Sequence, residues 1–183
     1  VFDDLMKGAD HAEALPYIER GRSCAAGASY GGYMMNWLNG HTDKFRCIVN
    51  HDGVYNFDSM YGTTEEVWFD EWEHGGPPWV KRDSYEKHSP HRFAKNFKTP
   101  MLIIHSEGDL RCNVEQGEQV FTALQQQGIE SRFVRYPQST FHGLSRSGPG
   151  LIRLRPSIST PPASSTLGPP PPPEKPCLPA GET

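Results

Sequence analysis

The 183-residue chain lacks several features that would place it in a specialised class of protein. None of its apolar runs approaches the roughly 20 residues that a membrane-spanning helix needs. Basic residues are not in excess, since the formal net charge is −4, and no basic stripe marks a nucleic-acid surface. We therefore expect no membrane and no nucleic-acid partner, and a chain of this length is long enough for one domain with its own core.

Cysteine is scarce, and its positions form no metal or redox motif. Cys24, Cys47, Cys112 and Cys177 include no C-x-x-C pair, which argues against a zinc knuckle or a thioredoxin-type site. Cys24 and Cys47 lie in apolar, strand-like runs, so we expect them to be free thiols that pack as small hydrophobic side chains. We expect neither a metal nor a cofactor.

The chain also lacks an initiator methionine and a secretory leader. The residues after Val1 do not show a basic segment followed by an apolar stretch, as a signal peptide would. We therefore expect Val1 to lie inside a longer protein. The sequence assigns neither a compartment nor an oligomeric state, and the cytoplasm and the periplasm are the first compartments to test.

Proline is unevenly distributed along the chain. Eleven of the 17 prolines lie at or beyond Pro149, and five of them form one run, Pro169 to Pro173. A segment so rich in proline, serine and threonine buries too little apolar surface to offset the entropy of ordering it. We therefore expect a folded domain over residues 1–148 and a disordered tail over residues 149–183.

Residues 1–148 alternate between helical and strand-like patterns. Residues 56–95 are the exception, because they are rich in aromatic side chains and broken by Gly-Gly-Pro-Pro, and we expect them to be irregular. This alternation predicts an α/β fold, with a mainly parallel sheet covered by helices. The predicted helices are 3–19, 33–38 and 114–127, and the predicted strands are 23–27, 46–50, 101–105 and 131–136.

One short segment matches a nucleophile motif. Gly27-Ala28-Ser29-Tyr30-Gly31 fits G-x-S-x-G, in which a serine occupies a strained turn between a strand and a helix. Small residues on both sides let the strand and helix pack closely, so that the hydroxyl projects from the sheet. The motif is weak alone, but an apolar strand precedes Ser29 here and an apolar helical stretch follows it. We therefore predict that Ser29 is a catalytic nucleophile.

A serine nucleophile needs a histidine base and an acid that orients the base. In folds with this turn the chain order is serine, acid, histidine, and His142 is the histidine that follows the last predicted strand. Asp109, after the third predicted strand, is the first choice for the acid; Asp52, after the second, and Glu107 are the alternatives. Ligand sites in parallel sheets lie beyond the carboxyl ends of the strands, so we expect these side chains to meet Ser29 there.

The developing oxyanion of acyl transfer needs hydrogen-bond donors. The backbone N–H of Tyr30, the residue after the nucleophile, is expected to supply one of them. A second donor normally comes from an earlier loop, and no HGGG-type segment precedes Ser29. We therefore expect the second donor to be missing from this chain.

Four segments, in order, resemble the prolyl oligopeptidase family of serine peptidases, and especially its dipeptidyl-peptidase V and acylaminoacyl-peptidase branches. The resemblance covers about residues 1–148. It implies an α/β-hydrolase fold, present here in part, with Ser29, Asp109 and His142 as the triad, and so favours Asp109 over Asp52. The matching segments are 27–37, 51–79, 105–111 and 136–148.

The resemblance also implies features around the site. The family lines its specificity pocket with aromatic side chains, although such residues are often part of the core. The family further carries an N-terminal β-propeller that restricts access to the site, and we expect the longer protein to have one. The candidate pocket residues here are Tyr55, Tyr61, Trp68, Phe69 and, as a residue that is either structural or orients substrate carbonyls, Arg111.

Together these features predict a serine peptidase that hydrolyses short peptides through an acyl-enzyme, in the manner of dipeptidyl or acylaminoacyl peptidases. One alternative is a carboxylesterase-like hydrolase with the same triad. Another is a catalytically incompetent fragment. The sequence does not distinguish exopeptidase from endopeptidase action.

Overall fold

In the computed structural model of the chain, a sheet of five strands runs through the described residues, which are 1–137 and, by their backbone alone, 153–154. Each strand lies beside the next one in chain order. The first four are parallel and the fifth is antiparallel to the fourth. The strands are β1 (Ala25–Ala28), β2 (Ile48–His51), β3 (Met101–Ser106), β4 (Ser131–Tyr136) and β5 (Arg153–Leu154).

Helices connect the parallel strands, and the predicted α/β fold is confirmed. In the part of the chain that the structure describes, no helix combines the length and hydropathy needed to cross a bilayer. The helices are α1 (Phe2–Glu13), α2 (Tyr30–His41), α3 (Phe57–Thr63), α4 (Val67–His74), α5 (Arg82–His88) and α6 (Val114–Gln126), with a 3₁₀ helix at Pro90–Asn96.

The predicted elements outside residues 56–95 are present, with shifted ends. The first helix ends at Glu13 rather than at residue 19, before Pro16, and α2 is longer at both ends than predicted. The last predicted strand, 131–136, has the predicted bounds. Gly128 follows α6 with a φ of 69°, as expected of a glycine that closes a helix.

The prediction that residues 56–95 are irregular was wrong, because they form three short α-helices and the 3₁₀ helix. The Asn56 side chain caps α3 by accepting the N–H groups of Asp58 and Ser59. Gly75 ends α4 in the left-handed conformation with a φ of 80°. Helices of seven or eight residues are too short to show a clear periodicity, so local capping defines them instead.

The core lies between the sheet and the helices around it. Ile48 and Ile103, on neighbouring strands, are at most 1% exposed, and Leu38 of α2 packs in the same cluster. Val120 and Leu124 of α6 are completely buried there. Apolar side chains on neighbouring parallel strands, covered by helices, are typical of sheets built from strand–helix–strand units.

Cys24 and Cys47 form a disulfide, so the expectation of two free thiols was wrong. The register pairs Ala25 with Ile48, which sets the two preceding cysteines side by side with their Cα atoms 4.9 Å apart. That spacing lies within the usual range for a disulfide. Cys112 is a free, buried thiol, and Cys177 lies outside the described residues.

Reduction of this disulfide is expected to destabilise the fold. The bond joins residues 23 positions apart, and closing a loop of that size stabilises a folded chain by about 3 kcal/mol. Urea unfolding with and without reductant measures the difference. A Cys24→Ser/Cys47→Ser double variant should not respond to reductant, whereas Cys112→Ser should respond as the unmodified chain does. If reductant does not change the unfolding midpoint of the unmodified chain, the Cys24–Cys47 disulfide is not present.

The short strand β5 lies in the segment predicted to be a tail. Residues 153–154 pair with β4 through Val134 and Arg135. The rest of residues 149–183, and residues 138–148 before them, lie outside the described residues. The domain boundary at residue 148 therefore stays a prediction.

Candidate active site

Ser29 occupies the turn between β1 and α2, in the geometry that its motif predicts. Its backbone has a φ of 55° and a ψ of −118°, a conformation that is strained for any residue except glycine. The Ser29 N–H donates to the His51 carbonyl over 3.0 Å, and the Ser29 carbonyl accepts the N–H of Tyr33 over 2.9 Å. The first bond ties the turn to β2 and the second starts the helix, so both hold the serine in its strained position.

Two glycines allow the close contacts around this turn. A Cβ atom on Gly27 would lie 2.4 Å from the carbonyl oxygen of Gly31, and one on Gly32 would lie 2.6 Å from the Cα of Gly53. A Cβ on Gly31 would meet nothing within 4 Å. The first glycine of the motif is therefore required by packing, but on the helix side the requirement falls on Gly32 rather than Gly31.

Asp109 lies in the loop that follows β3 and is 5% exposed. Its Oδ1 accepts the backbone N–H groups of Arg111 and Cys112, each over 2.9 Å. Burial raises the pKa of the Asp109 carboxyl, and the N–H of Cys112 opposes that rise. Both hydrogen bonds use one oxygen, which leaves Oδ2 outside them.

Asp52 and His105 connect β2 and β3 to the Asp109 loop. The fully buried Asp52 has a φ of 46°, and its Oδ1 accepts the N–H of Ser106 over 2.8 Å. His105 Nε2 donates to the Cys112 carbonyl over 2.7 Å. Asp52, His105 and Asp109 each place a potential metal ligand atom within 4.8 Å of the others. Because all three also bond to backbone groups, we interpret them as a network that holds the loop.

The structure brings together some of the residues predicted for the site. Ser29, Tyr30 and Asp52 line one cavity, and Cys112, which is bonded to Asp109, lines it as well. Glu107, the third candidate acid, forms an ion pair with Arg135 over 3.0 Å. His142 lies outside the described residues, so its position as the base stays a prediction.

The cavity has a volume of about 360 Å³, and α3 and α4 supply much of its wall. Two of the candidate pocket residues, Phe69 and Arg111, line it, with the Arg111 guanidinium 4.5 Å from the centre of the Phe69 ring. The other three do not line it: Tyr55 is part of the core, Tyr61 donates its hydroxyl to Glu71, and Trp68 is 62% exposed. Fewer of the candidate residues therefore line the cavity than the resemblance implied.

Residues 1–155 match the model of the prolyl oligopeptidase family. The chain belongs to this family. The resemblance drawn from four short motifs is thus confirmed, and with it the α/β-hydrolase type of fold.

Curated relatives of the chain in a bacterium and in a fungus are both named dipeptidyl-peptidase 5. Dipeptidyl-peptidase 5 of Porphyromonas gingivalis is 40% identical over 139 residues, which is 73% of this chain and 20% of that protein. Dipeptidyl-peptidase 5 of Aspergillus fumigatus is 41% identical over 141 residues, 74% of this chain and 19% of that protein. The chain therefore spans about a fifth of the length of these relatives.

Two solved structures share the fold. The acylaminoacyl peptidase of Pyrococcus horikoshii superposes with a TM-score of 0.73 at 32% identity, over 80% of this chain and 24% of that one. Dipeptidyl peptidase 4 of Porphyromonas gingivalis superposes with a TM-score of 0.66 at 20% identity, over 76% of this chain and 19% of that one, and shows the fold alone.

The sequence analysis missed several ionisable residues of the cavity, among them Asp70 of α4. It lines the cavity and is 1% exposed. Burial raises the pKa of its carboxyl to about 6, and the nearby Arg111 charge opposes that rise. On the next helical turn, His74 is also buried. Burial is the main cause that lowers the pKa of His74 to about 4, and the charge of His88 is the second. Asp70 and His74 are four residues apart, which is the spacing of neighbours on one face of a helix. The sequence analysis did not use this signal because it predicted the region to be irregular.

Replacing Asp70 with asparagine is expected to stabilise this family member above pH 6. The carboxyl has an ordinary pKa of 3.8 and a folded-state pKa of about 6, so the folded chain binds more protons between these values. The contribution of Asp70 to stability therefore falls as the pH rises through that window. Asp70→Asn should raise the free energy of unfolding at pH 7.5 by up to about 3 kcal/mol and change it little below pH 4.

Urea unfolding of both proteins at each pH measures this difference. His74 contributes a pH dependence of the opposite sign in the overlapping window, because its neutral folded form is favoured as the pH rises toward 6.5. The comparison at matched pH removes that contribution. Glu73→Gln, which replaces an exposed carboxylate on the same helix, is the control and should change the free energy of unfolding by no more than about 0.5 kcal/mol. A loss of stability in Asp70→Asn at pH 7.5 would show that the carboxylate stabilises the fold.

Proposed function

We propose that the protein to which this chain belongs is a peptidase acting on short peptides, and that Ser29, Asp109 and His142 are its triad. The observation that carries the proposal is the strained turn at Ser29, which opens onto a cavity beside the Asp109 loop. A serine held in this conformation without a capping side-chain bond is typical of a nucleophile rather than of a helix cap.

In the proposed reaction, Ser29 Oγ attacks the carbonyl carbon of the scissile amide. His142 takes the hydroxyl proton and then gives it to the leaving amine, so that the amide C–N bond breaks and an ester to Ser29 remains. A water molecule, activated by the same imidazole, hydrolyses that ester. Asp109 keeps the imidazole in the required tautomer and stabilises its charged form.

The backbone N–H of Tyr30 is the proposed oxyanion donor in this chain. Tyr30 is the first residue of α2, where a helix leaves its N–H groups without intrahelical acceptors. The positive end of the helix dipole lies at the same place, which favours a developing negative charge. The β-propeller and the preference for dipeptidyl or acylated substrates belong to the longer protein, and both are part of the proposal.

Hydrolysis of matched amides and esters tests the function. Alanyl-phenylalanyl anilide, its N-acetyl counterpart and a short-chain nitrophenyl ester would be offered to the protein and to its Ser29→Ala variant. Peptidase function predicts release of the aniline that Ser29→Ala abolishes. Hydrolysis of the ester but of neither amide would favour the carboxylesterase alternative. Hydrolysis that persists in Ser29→Ala would show that Ser29 is not the nucleophile.

A further inference from the structure

The cavity beside Ser29 contains a carboxylate that nothing in the proposed reaction uses. Asp70 lines it from α4 and is 1% exposed. Asp70 Oδ2 is buried and has no hydrogen-bond partner among the residues that the structure describes. Buried polar atoms are normally hydrogen-bonded, so an unpartnered carboxylate oxygen in a binding cavity calls for a ligand.

Neither Arg111 nor His74 forms a hydrogen bond to Asp70 Oδ2, although His74 Nε2 is likewise buried without a partner among the described residues. The Arg111 guanidinium forms an ion pair with Glu66 and lies over the Phe69 ring. The His74 ring stacks on Tyr85 at 4.0 Å, and its Nδ1 lies 2.9 Å from the Ser84 hydroxyl. Because burial lowers the pKa of His74 to about 4, this imidazole carries no charge near neutral pH.

The rest of the cavity wall defines what kind of ligand would fit. Phe57, Met60 and Phe69 give it an apolar lining, while Asp52 and Glu73 add two further carboxylates. Such a wall suits a side chain or chain end that is apolar along its length and positively charged at one point. An ammonium group that binds a carboxylate already buried in the fold forms a charge-assisted hydrogen bond, which is roughly twice as strong as a neutral one.

We propose that Asp70 binds a protonated amine of the peptide substrate in the Ser29 cavity. The amine is either the N-terminal ammonium or the ammonium of a basic side chain. The inference deepens the proposed function and depends on it, because it assumes that peptides enter this cavity. It makes Asp70 a specificity-determining residue, and the triad needs no contribution from it.

Calorimetric titration of the Ser29→Ala protein separates binding from catalysis. Two pairs of peptide amides serve as probes: alanyl-phenylalaninamide against its N-acetyl form, and N-acetylalanyl-lysinamide against the norleucine analogue. The charged member of at least one pair should bind about 10-fold tighter or more than its uncharged partner. The first pair reports on the N-terminal ammonium and the second on a basic side chain.

The second variant locates the effect. Asp70→Asn in the Ser29→Ala background should remove the preference for the charged probe. Glu71→Gln, on the same helix but not among the residues that line the cavity, should keep it. Circular dichroism and thermal unfolding confirm that both variants are folded. A preference that survives in Asp70→Asn, or the absence of any amine-dependent binding, overturns the inference.

The binding experiment can fail or succeed independently of the proposed hydrolysis. The titration requires no turnover, and the hydrolysis of amides requires no preference for amines. Failure of the triad would appear as loss of hydrolysis with the binding preference intact. Failure of the Asp70 assignment would appear as hydrolysis that ignores the charge of the substrate.

Discussion

Asp109→Asn is expected to lower kcat/KM for amide hydrolysis by about 10⁴-fold, because an amide side chain no longer holds the imidazole in the reactive tautomer. The bonds that position the residue should survive, since an amide oxygen can still accept the N–H groups of Arg111 and Cys112. Steady-state kinetics on an amide substrate measures the effect. The folded fraction should change little, so the loss reports chemistry rather than unfolding.

Asp52→Asn is the matched control for this prediction. Asp52 is the competing acid, and its amide counterpart can still accept the Ser106 N–H that anchors the loop. We expect a much smaller loss of activity than in Asp109→Asn. If Asp52→Asn abolished hydrolysis while Asp109→Asn retained it, the acid would be Asp52 and the triad assignment would be wrong.

Gly27→Ala is expected to lower the free energy of unfolding by on the order of 3 kcal/mol. The new Cβ would lie 2.4 Å from the Gly31 carbonyl oxygen, and because both atoms belong to backbone-anchored groups, no flexible side chain can move away. The strand and helix would have to separate at the turn that holds Ser29. Urea unfolding at a constant m-value measures the loss.

Gly31→Ala is the matched control in the same motif. Its Cβ would meet nothing within 4 Å, and the residue lies inside α2, where alanine favours the helix more than glycine does. The variant should be as stable as the unmodified chain or more stable by up to about 1 kcal/mol. Equal losses in the two variants would contradict the packing described for the turn.

The elements that the sequence predicted best are those with strong local signals. The strand 131–136 lies between Gly128 and Pro137, and α6 has a clear helical pattern, so both were found with nearly correct bounds. The helices of residues 56–95 were missed because their ends depend on capping by Asn56 and Gly75 rather than on periodicity. The disulfide was missed because the register of β1 against β2 brings its cysteines together.

The residues of the candidate site also differ in whether a local sequence signal marks them. The strained turn at Ser29 was predictable because one motif combines the serine with the strand and helix on either side of it. Asp109 was predicted from its place after a strand, whereas the bond of Asp52 to Ser106, the last residue of that strand, depends on a contact across the sheet. Asp70 was missed because a buried carboxylate in a helix has no sequence motif, and its role depends on the cavity that three-dimensional packing creates.

The reactivity of Ser29 tests the account most directly. The folded protein would be treated with a fluorophosphonate, digested and analysed by mass spectrometry, beside Ser29→Ala and His142→Ala variants. We predict one phosphonyl adduct on the peptide that contains Ser29, absent in Ser29→Ala and strongly slowed in His142→Ala. A folded protein whose Ser29 is not modified, or is modified equally fast without His142, would contradict the assignment of Ser29 as an activated nucleophile.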